Sequence, residues 1–186
     1  MKDIIRCDWA NSNHKMQQYH DNEWGVPQYN DQKLFEMLTL EGAQAGLSWA
    51  TILSRRESYR KAFKNFNVNL ISKFKNEDID QLMKDKGIIR NQLKIKSTIS
   101  NSKAFIKVQR EFHSFNNYIW SFTNKKTITN NFNKLNEVPA ETALSNEISN
   151  DLKKRGFTFV GPTITYAFMQ SIGIVNDHLS SCFCKK

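Results

Sequence analysis

Asp31-Gln-Lys-Leu-Phe-Glu-Met-Leu-Thr-Leu-Glu-Gly-Ala-Gln-Ala45 decides the fold class. Its apolar residues recur at helical spacing, with Leu34, Met37, Leu38 and Ala45 on one face. Asp31 stands where it caps the first turn, and Gly46 ends the run. Glu41 is the anomaly: at about 100° per residue it falls between Met37 and Leu34, inside the apolar face. A carboxylate there is paired, neutralised or lining a pocket, because burying it alone is costly. The plain alternative is a side chain at a helix end that reaches solvent.

The same period extends along the chain. Ser48 is placed to cap a helix running towards Phe63, a short helix is expected over 69–74, and Asn76 caps another over 77–85. Beyond Gly87 a longer helix starts near Asn91 and runs to about Phe112, and Ser114 opens a short one with Tyr118, Trp120 and Phe122. Residues 123–141 read as a polar, Asn-rich loop containing Pro139. A helix over 143–156 follows, and Gly161-Pro162 starts a last one that stops at Gly173. Only Lys126-Thr-Ile-Thr hints at strand alternation, so the fold class is all-α.

At 186 residues the chain fits one domain, or two small lobes sharing a core, and needs no disulfide staples. Hydrophobic residues at 39% and charged ones at 24% give an ordinary globular balance. The apolar runs are too short to span a bilayer, so no membrane partner is expected. Met1-Lys-Asp-Ile-Ile-Arg6 lacks a signal peptide's apolar stretch, and a cytoplasmic protein of bacterial type is expected. In that reducing compartment Cys7, Cys182 and Cys184 read as ligands or free thiols. The net charge of +9 draws polyanions through phosphate contacts, although many basic proteins have no such partner.

Three further features carry chemistry. Trp9, Tyr19, Trp24 and Trp49 lie on or beside predicted turns, Trp49 directly after the helix bearing Glu41. Flat rings plus one carboxylate suit a flipped base, which needs stacking and an acceptor for its amino group. Core filling is the alternative, and the better one for Trp120. Second, Cys7 and His20 near one end and His178 and Cys182 near the other make a closed tetrahedral zinc set, structural because no position is left for water. Cys184 competes with Cys182 for its place, and His14 with His20. Third, Asp80-Gln-Leu-Met-Lys-Asp-Lys-Gly-Ile-Ile-Arg-Asn-Gln-Leu-Lys94 reads as two helices about a Gly87 turn. Such a turn presents N–H groups and a helix N-terminus to phosphate, amid Lys84, Lys86, Arg90, Lys94 and Lys96. A plain helical hairpin gives the same pattern.

Tyr19-His-Asp-Asn-Glu-Trp-Gly-Val-Pro27 and Leu34-Phe-Glu-Met-Leu-Thr-Leu-Glu41-Gly-Ala-Gln-Ala-Gly-Leu-Ser-Trp49 resemble the DNA-3-methyladenine glycosylase I family. So do Lys86-Gly-Ile-Ile-Arg90, Leu152-Lys-Lys-Arg-Gly-Phe-Thr-Phe-Val-Gly161 and Val175-Asn-Asp-His178, in the family's order. The resemblance implies a divergent helix-hairpin-helix glycosylase: one domain over 1–186, all-helical and two-lobed, with the hairpin element at about 77–111. It implies one structural Zn2+ on Cys7, His20, His178 and Cys182, tying segment 7–20 to segment 178–182. It implies base recognition by Glu41, Tyr19 and Trp49, with Trp9 and Trp24 lining the pocket. DNA contacts are implied at Lys86, Gly87 and Arg90, with Gly46 and Leu47 filling the gap left by the flipped nucleotide. Met16 departs from the family, standing where another aromatic is expected, and the catalytic Asp of most helix-hairpin-helix glycosylases has no counterpart after the hairpin.

The activity so implied is monofunctional removal of 3-methyladenine from alkylated double-stranded DNA by a monomer, releasing free 3-methyladenine and leaving an abasic site. Two alternatives use the same residues. One is a zinc-stapled lesion-binding module without turnover. The other is a zinc hydrolase with water as fourth ligand, which Cys182 argues against.

Overall fold

The computed structural model describes residues 4–185. The leader reading falls partly on Met1, Lys2 and Asp3, outside the described residues. Among the described residues ten α-helices bear out the all-α class: α1 His14–Asn22, α2 Asp31–Gln44, α3 Trp49–Ser54, α4 Arg56–Ala62, α5 Val68–Ile71, α6 Asn76–Lys84, α7 Gln92–Phe112, α8 Phe115–Ser121, α9 Ala143–Lys154 and α10 Pro162–Ser171. Strand among the described residues is confined to β1 (Ile128–Thr129) and β2 (Val175–Asn176), paired in parallel. The hint at 126–129 yields only a two-residue strand with both residues exposed, not an alternating one, and the loop expected over 123–141 also holds a 3-10 turn, Leu135–Glu137. No helix among the described residues is long and apolar enough to cross a membrane.

α2 is the axis of the molecule. Ten of its 14 residues, Leu34 to Ala43, are buried in unbroken succession, where the sequence suggested a single apolar stripe. α10, backed by α9, meets it from one group of helices, and α3, α7 and α8 meet it from another. Each large apolar side chain enclosed there contributes about 1.5–3 kcal/mol. Trp120 is core, as expected, fully enclosed with its Nε1 donating to the Gln28 carbonyl at 2.9 Å.

Asn30, not Asp31, caps α2, accepting the Lys33 N–H at 3.1 Å. Asp31 is already helical, and its carboxylate instead accepts from Phe115 N (2.9 Å), Asn116 N (2.8 Å) and Gln109 Nε2 (2.7 Å). An anion at the N-terminus of α8 is favourable, so this side chain locks α7 and α8 to the start of α2. Asn67 rather than a later Asn caps α5, which ends at Ile71. Lys75 rather than Asn76 precedes α6, its N–H donating to Asp78 at 2.8 Å. The helix expected from Ser48 towards Phe63 divides at Arg55 into α3 and α4, where the Arg55 guanidinium reaches the Lys86 carbonyl at 2.6 Å.

Candidate active site

A cavity of about 640 Å³ opens among α1, the α2–α3 junction, α10 and the 135–140 segment. Trp9, Met16, Tyr19, Trp24, Glu41 and Trp49 all contribute to its wall. The structure thus brings together all six side chains that the sequence reading had tied to a base pocket. Tyr19 and Trp49 lie with ring centroids 5.2 Å apart and tilted 52°, and Trp9 meets Trp24 edge-on at 5.0 Å. Met16 fills its place in the wall as a buried thioether.

Three polar groups around this cavity lack a protein partner. Glu41 is 4% exposed, and burial alone pushes its carboxyl up to about 8, so it is mostly protonated at neutral pH. Burial first, then the neighbouring Glu41 and Glu23, push the Tyr19 phenol well above its ordinary value and keep it a donor. Trp49 Nε1 is a buried donor with nothing to donate to. Buried polar groups are nearly always satisfied within a fold, so the enclosed Trp49 Nε1, beside a Glu41 carboxyl and a Tyr19 hydroxyl that make no protein hydrogen bond, marks a space suited to a polar, aromatic guest. Glu36, the other acid buried on α2, makes the contrast. Burial works against its charge, but Arg56, Lys33 and Arg60 outweigh it and hold the carboxyl below its usual range.

Behind the aromatic wall sit Cys7, His20, His178 and Cys182, all buried, with ligand atoms within 4.8 Å of one another. Cys182 Sγ is 3.5 Å from His20 Nε2 and 3.5 Å from His178 Nδ1, and Cys7 Sγ is 3.9 Å from His178 Nδ1. A tetrahedral ion with metal–S of about 2.3 Å and metal–N of about 2.05 Å needs S···N edges of about 3.6 Å, so the four residues could hold a metal ion. The outward ring nitrogens are already oriented: His20 Nδ1 faces Asp21 Oδ1 at 2.8 Å and His178 Nε2 faces the Trp24 carbonyl at 3.0 Å. Without a cation, burial pushes the Cys7 thiol up to about 12 and His178 down to about 4. Metal binding reverses the thiol side, since cysteines ligate as thiolates.

The competing ligands stand less well placed for the tetrahedral set, although Cys184 forms a second group with His20 and Asp21 whose ligand atoms lie within 4.8 Å of one another. Cys184 Sγ lies 4.0 Å from His20 Nδ1, the nitrogen that Asp21 already occupies, and His14 is exposed at the start of α1. The cluster also backs the cavity. Trp24 packs edge-on against His178 at 4.7 Å, and Trp9 against His20 at 5.2 Å.

Lys86, Gly87 and Arg90 lie in the turn joining α6 to α7. Gly87 is needed there by close approach, because a Cβ would stand 2.8 Å from Ser58 Cβ. The expected row of free N–H groups is partly used internally: Gly87 N–H donates to Asp85 at 2.7 Å and Ile89 N–H to Tyr59 Oη at 3.2 Å. Lys86 and Arg90 are exposed, as are Lys84 and Lys96. Lys94 is not available to phosphate. Its Nζ donates to the Ala43 and Ala45 carbonyls at 2.8 and 2.7 Å, joining α7 to the end of α2. Just beyond, Gly46 takes a left-handed φ of 76° and Leu47 is exposed beside the cavity mouth formed by Ser48 and Trp49.

The sequence reading missed the far wall: Val138 and Pro139 from the segment read as loop, and Tyr166, Gln170 and Asp177. Asp177 stands inside the Val175-Asn-Asp-His178 string, where only the histidine had been given a role.

The family model for methyladenine glycosylase matches residues 9–185. A DNA-3-methyladenine glycosylase of Haemophilus influenzae is 47% identical over 180 residues, 97% of each chain. A crystal structure of 3-methyladenine DNA glycosylase I superposes with a TM-score of 0.95 at 44% identity, covering 98% of this chain and 100% of that one. A further structure, a Tyr→Phe variant of a 3-methyladenine DNA glycosylase I in complex with 3-methyladenine, has a TM-score of 0.94 at 30% identity over 97% of both chains. On sequence over nearly its whole length, and on fold, the chain belongs to the methyladenine glycosylase family.

Proposed function

We propose that the protein excises 3-methyladenine from alkylated double-stranded DNA, hydrolysing the N-glycosidic bond of a flipped nucleotide and leaving an abasic site. Glu41 carries this reading: a buried, unpartnered carboxyl among aromatic rings in a family that removes methyladenine. Methylation at N3 leaves the base cationic and its glycosidic bond weakened. The cation lowers the cost of ionising Glu41, which then accepts from the exocyclic amine. Trp49 and Tyr19 stack on or contact the base, Trp9 and Trp24 complete the wall, and aromatic faces add preference for a cation. The C1′–N9 bond breaks with its electron pair passing to the base, which departs neutral. Water attacks the oxocarbenium-like sugar and releases its proton to solvent.

Within the same proposal, Cys7, His20, His178 and Cys182 hold one structural Zn2+ that fixes the chain ends and backs the wall. Lys86, Gly87 and Arg90 anchor the DNA backbone, and Gly46 and Leu47 enter the gap left by the flipped nucleotide. Residues 1–186 act as a single domain, with the hairpin element at about 77–111, and as a cytoplasmic monomer.

Purified protein incubated with methylated DNA, with released bases resolved chromatographically, tests the reading. Release of 3-methyladenine that falls sharply in Glu41→Gln is expected. Undiminished release in the variant removes Glu41 from its role, and no release from folded wild type refutes the activity.

A further inference from the structure

Two cations beside the α6–α7 turn engage backbone carbonyls instead of solvent. Lys94 Nζ, near the start of α7, donates to the Ala43 and Ala45 carbonyls at the end of α2, at 2.8 and 2.7 Å. Arg55, at the end of α3, donates from Nη1 to the Lys86 carbonyl at 2.6 Å. The last carbonyls of a helix have no partner within it, and a cation there is favourable, so Lys94 closes α2 from outside. Its side chain is half-buried, and burial lowers the pKa of the ammonium. The two contacts bracket one short stretch. Gly46 and Leu47 follow directly on the carbonyls that Lys94 holds, Ser48 caps α3, Trp49 opens it and Arg55 ends it. Within the bracket Gly46 has a left-handed φ of 76° with no atom within 4 Å of where a Cβ would stand, and Leu47 is 40% exposed. The stretch is open at Gly46 and Leu47 and tied at both ends to the turn that carries Lys86 and Arg90. Tyr59 Oη, accepting from the Ile89 N–H at 3.2 Å, stiffens the same joint.

We propose that Lys94 is a positioning residue, seconded by Arg55, that couples seating of the α6–α7 turn on the DNA backbone to insertion of Gly46 and Leu47 into the duplex. The inference rests on the DNA-excision reading of the site. A force on the turn passes through Nζ to the two carbonyls that precede and abut Gly46, so turn and inserting stretch move as one piece. Without the ammonium, the turn still binds phosphate through Lys86 and Arg90, but the stretch is no longer held at the angle that the turn sets. Coupling between two sites is typically worth roughly 5- to 150-fold, and losing one of two clamps falls near the low end, at about tenfold.

Lys94→Met separates these steps. Insertion is read by 2-aminopurine placed opposite a tetrahydrofuran abasic analogue in a duplex, and excision by single-turnover release of 3-methyladenine from methylated duplex at saturating protein. Both are expected to fall about tenfold. Affinity for undamaged duplex, its salt slope, and tryptophan-fluorescence binding of free 3-methyladenine are expected to stay within about twofold, because Nζ faces neither phosphate nor the cavity. Undiminished insertion and release overturn the proposal. So does a loss of duplex affinity with a salt slope lower by about 1, which makes Lys94 a phosphate contact. An equal loss of free-base binding also overturns it, since a purely structural role weakens the cavity as well. If Lys94→Met fails to fold, Arg55→Met decides on the same readouts. Wild type that releases no 3-methyladenine refutes the excision reading, whereas wild type that releases it without a fluorescence rise overturns the coupling alone.

Discussion

Glu41 makes the fold less stable as the solution becomes more alkaline, and Glu41→Gln isolates that cost. The carboxyl stands near its ordinary 4.5 when the chain is unfolded and at about 8 when buried in the cavity wall. Between those values the folded state binds more protons than the unfolded one, so stability falls as pH rises. The slope approaches about 1.4 kcal/mol per pH unit, and the whole window amounts to roughly 5 kcal/mol. Glutamine has no proton to lose, and every other titrating group is shared. The stability of the variant minus that of wild type therefore climbs by about 2 kcal/mol from pH 6 to pH 8, or roughly 4–8 °C in Tm for a chain of this size. Urea unfolding of both proteins at half-unit pH steps over that range reads the difference directly. The buried amide shifts the difference by a constant but not its slope. Parallel stability curves would refute the argument, showing a carboxyl that finds water or a partner in the native state.

Cys182→Ser should lose bound metal and several kcal/mol of stability, measured by metal analysis and thermal unfolding, whereas Cys184→Ser should change neither. A Cys182→Ser protein that kept metal and stability would remove the residue from the ligand set. Lys94→Met should cost about 2 kcal/mol, since two charge-assisted hydrogen bonds to the end of α2 disappear; unaltered urea midpoints would show that Nζ is solvated instead. Arg90→Ala should weaken binding to any duplex and lower the slope of log K against log salt by about 1; an unchanged slope would place the turn away from phosphate.

The fold class was legible because helical period and caps such as Ser48, Asn91 and Ser114 are local properties of the chain. Which of two neighbouring Asn or Asp residues lies outside the helix was not, because Asp31 turns to α8 only once α8 has docked there. Glu41 stood out on the wheel, whereas Glu36 drew no notice, because its partners, Arg56 and Arg60, come from another helix. Trp9, Trp24 and the Cys/His set were nameable from residue type and resemblance. Their mutual support was not, since ring-on-ring contacts between segments 154 residues apart leave no trace in spacing. The same limit hid Asp177, whose donors arrive from β1's flank and from α10.

The segments around Cys7 and Cys182, far apart in sequence, close on each other like a clasp. Phe183 N–H donates to the Ile5 carbonyl at 2.9 Å, and Leu179 N–H to Cys7 Sγ at 3.4 Å. Trp24 rests edge-on against His178, 154 residues further along the sequence, whereas Trp9 rests against His20 close by. A nascent chain therefore carries its aromatic wall with one support missing until residues 178–182 have been made. Cutting the chain between α10 and His178 has the same effect on the finished protein: Trp24 loses its support while the aromatic rings of the cavity are all still present.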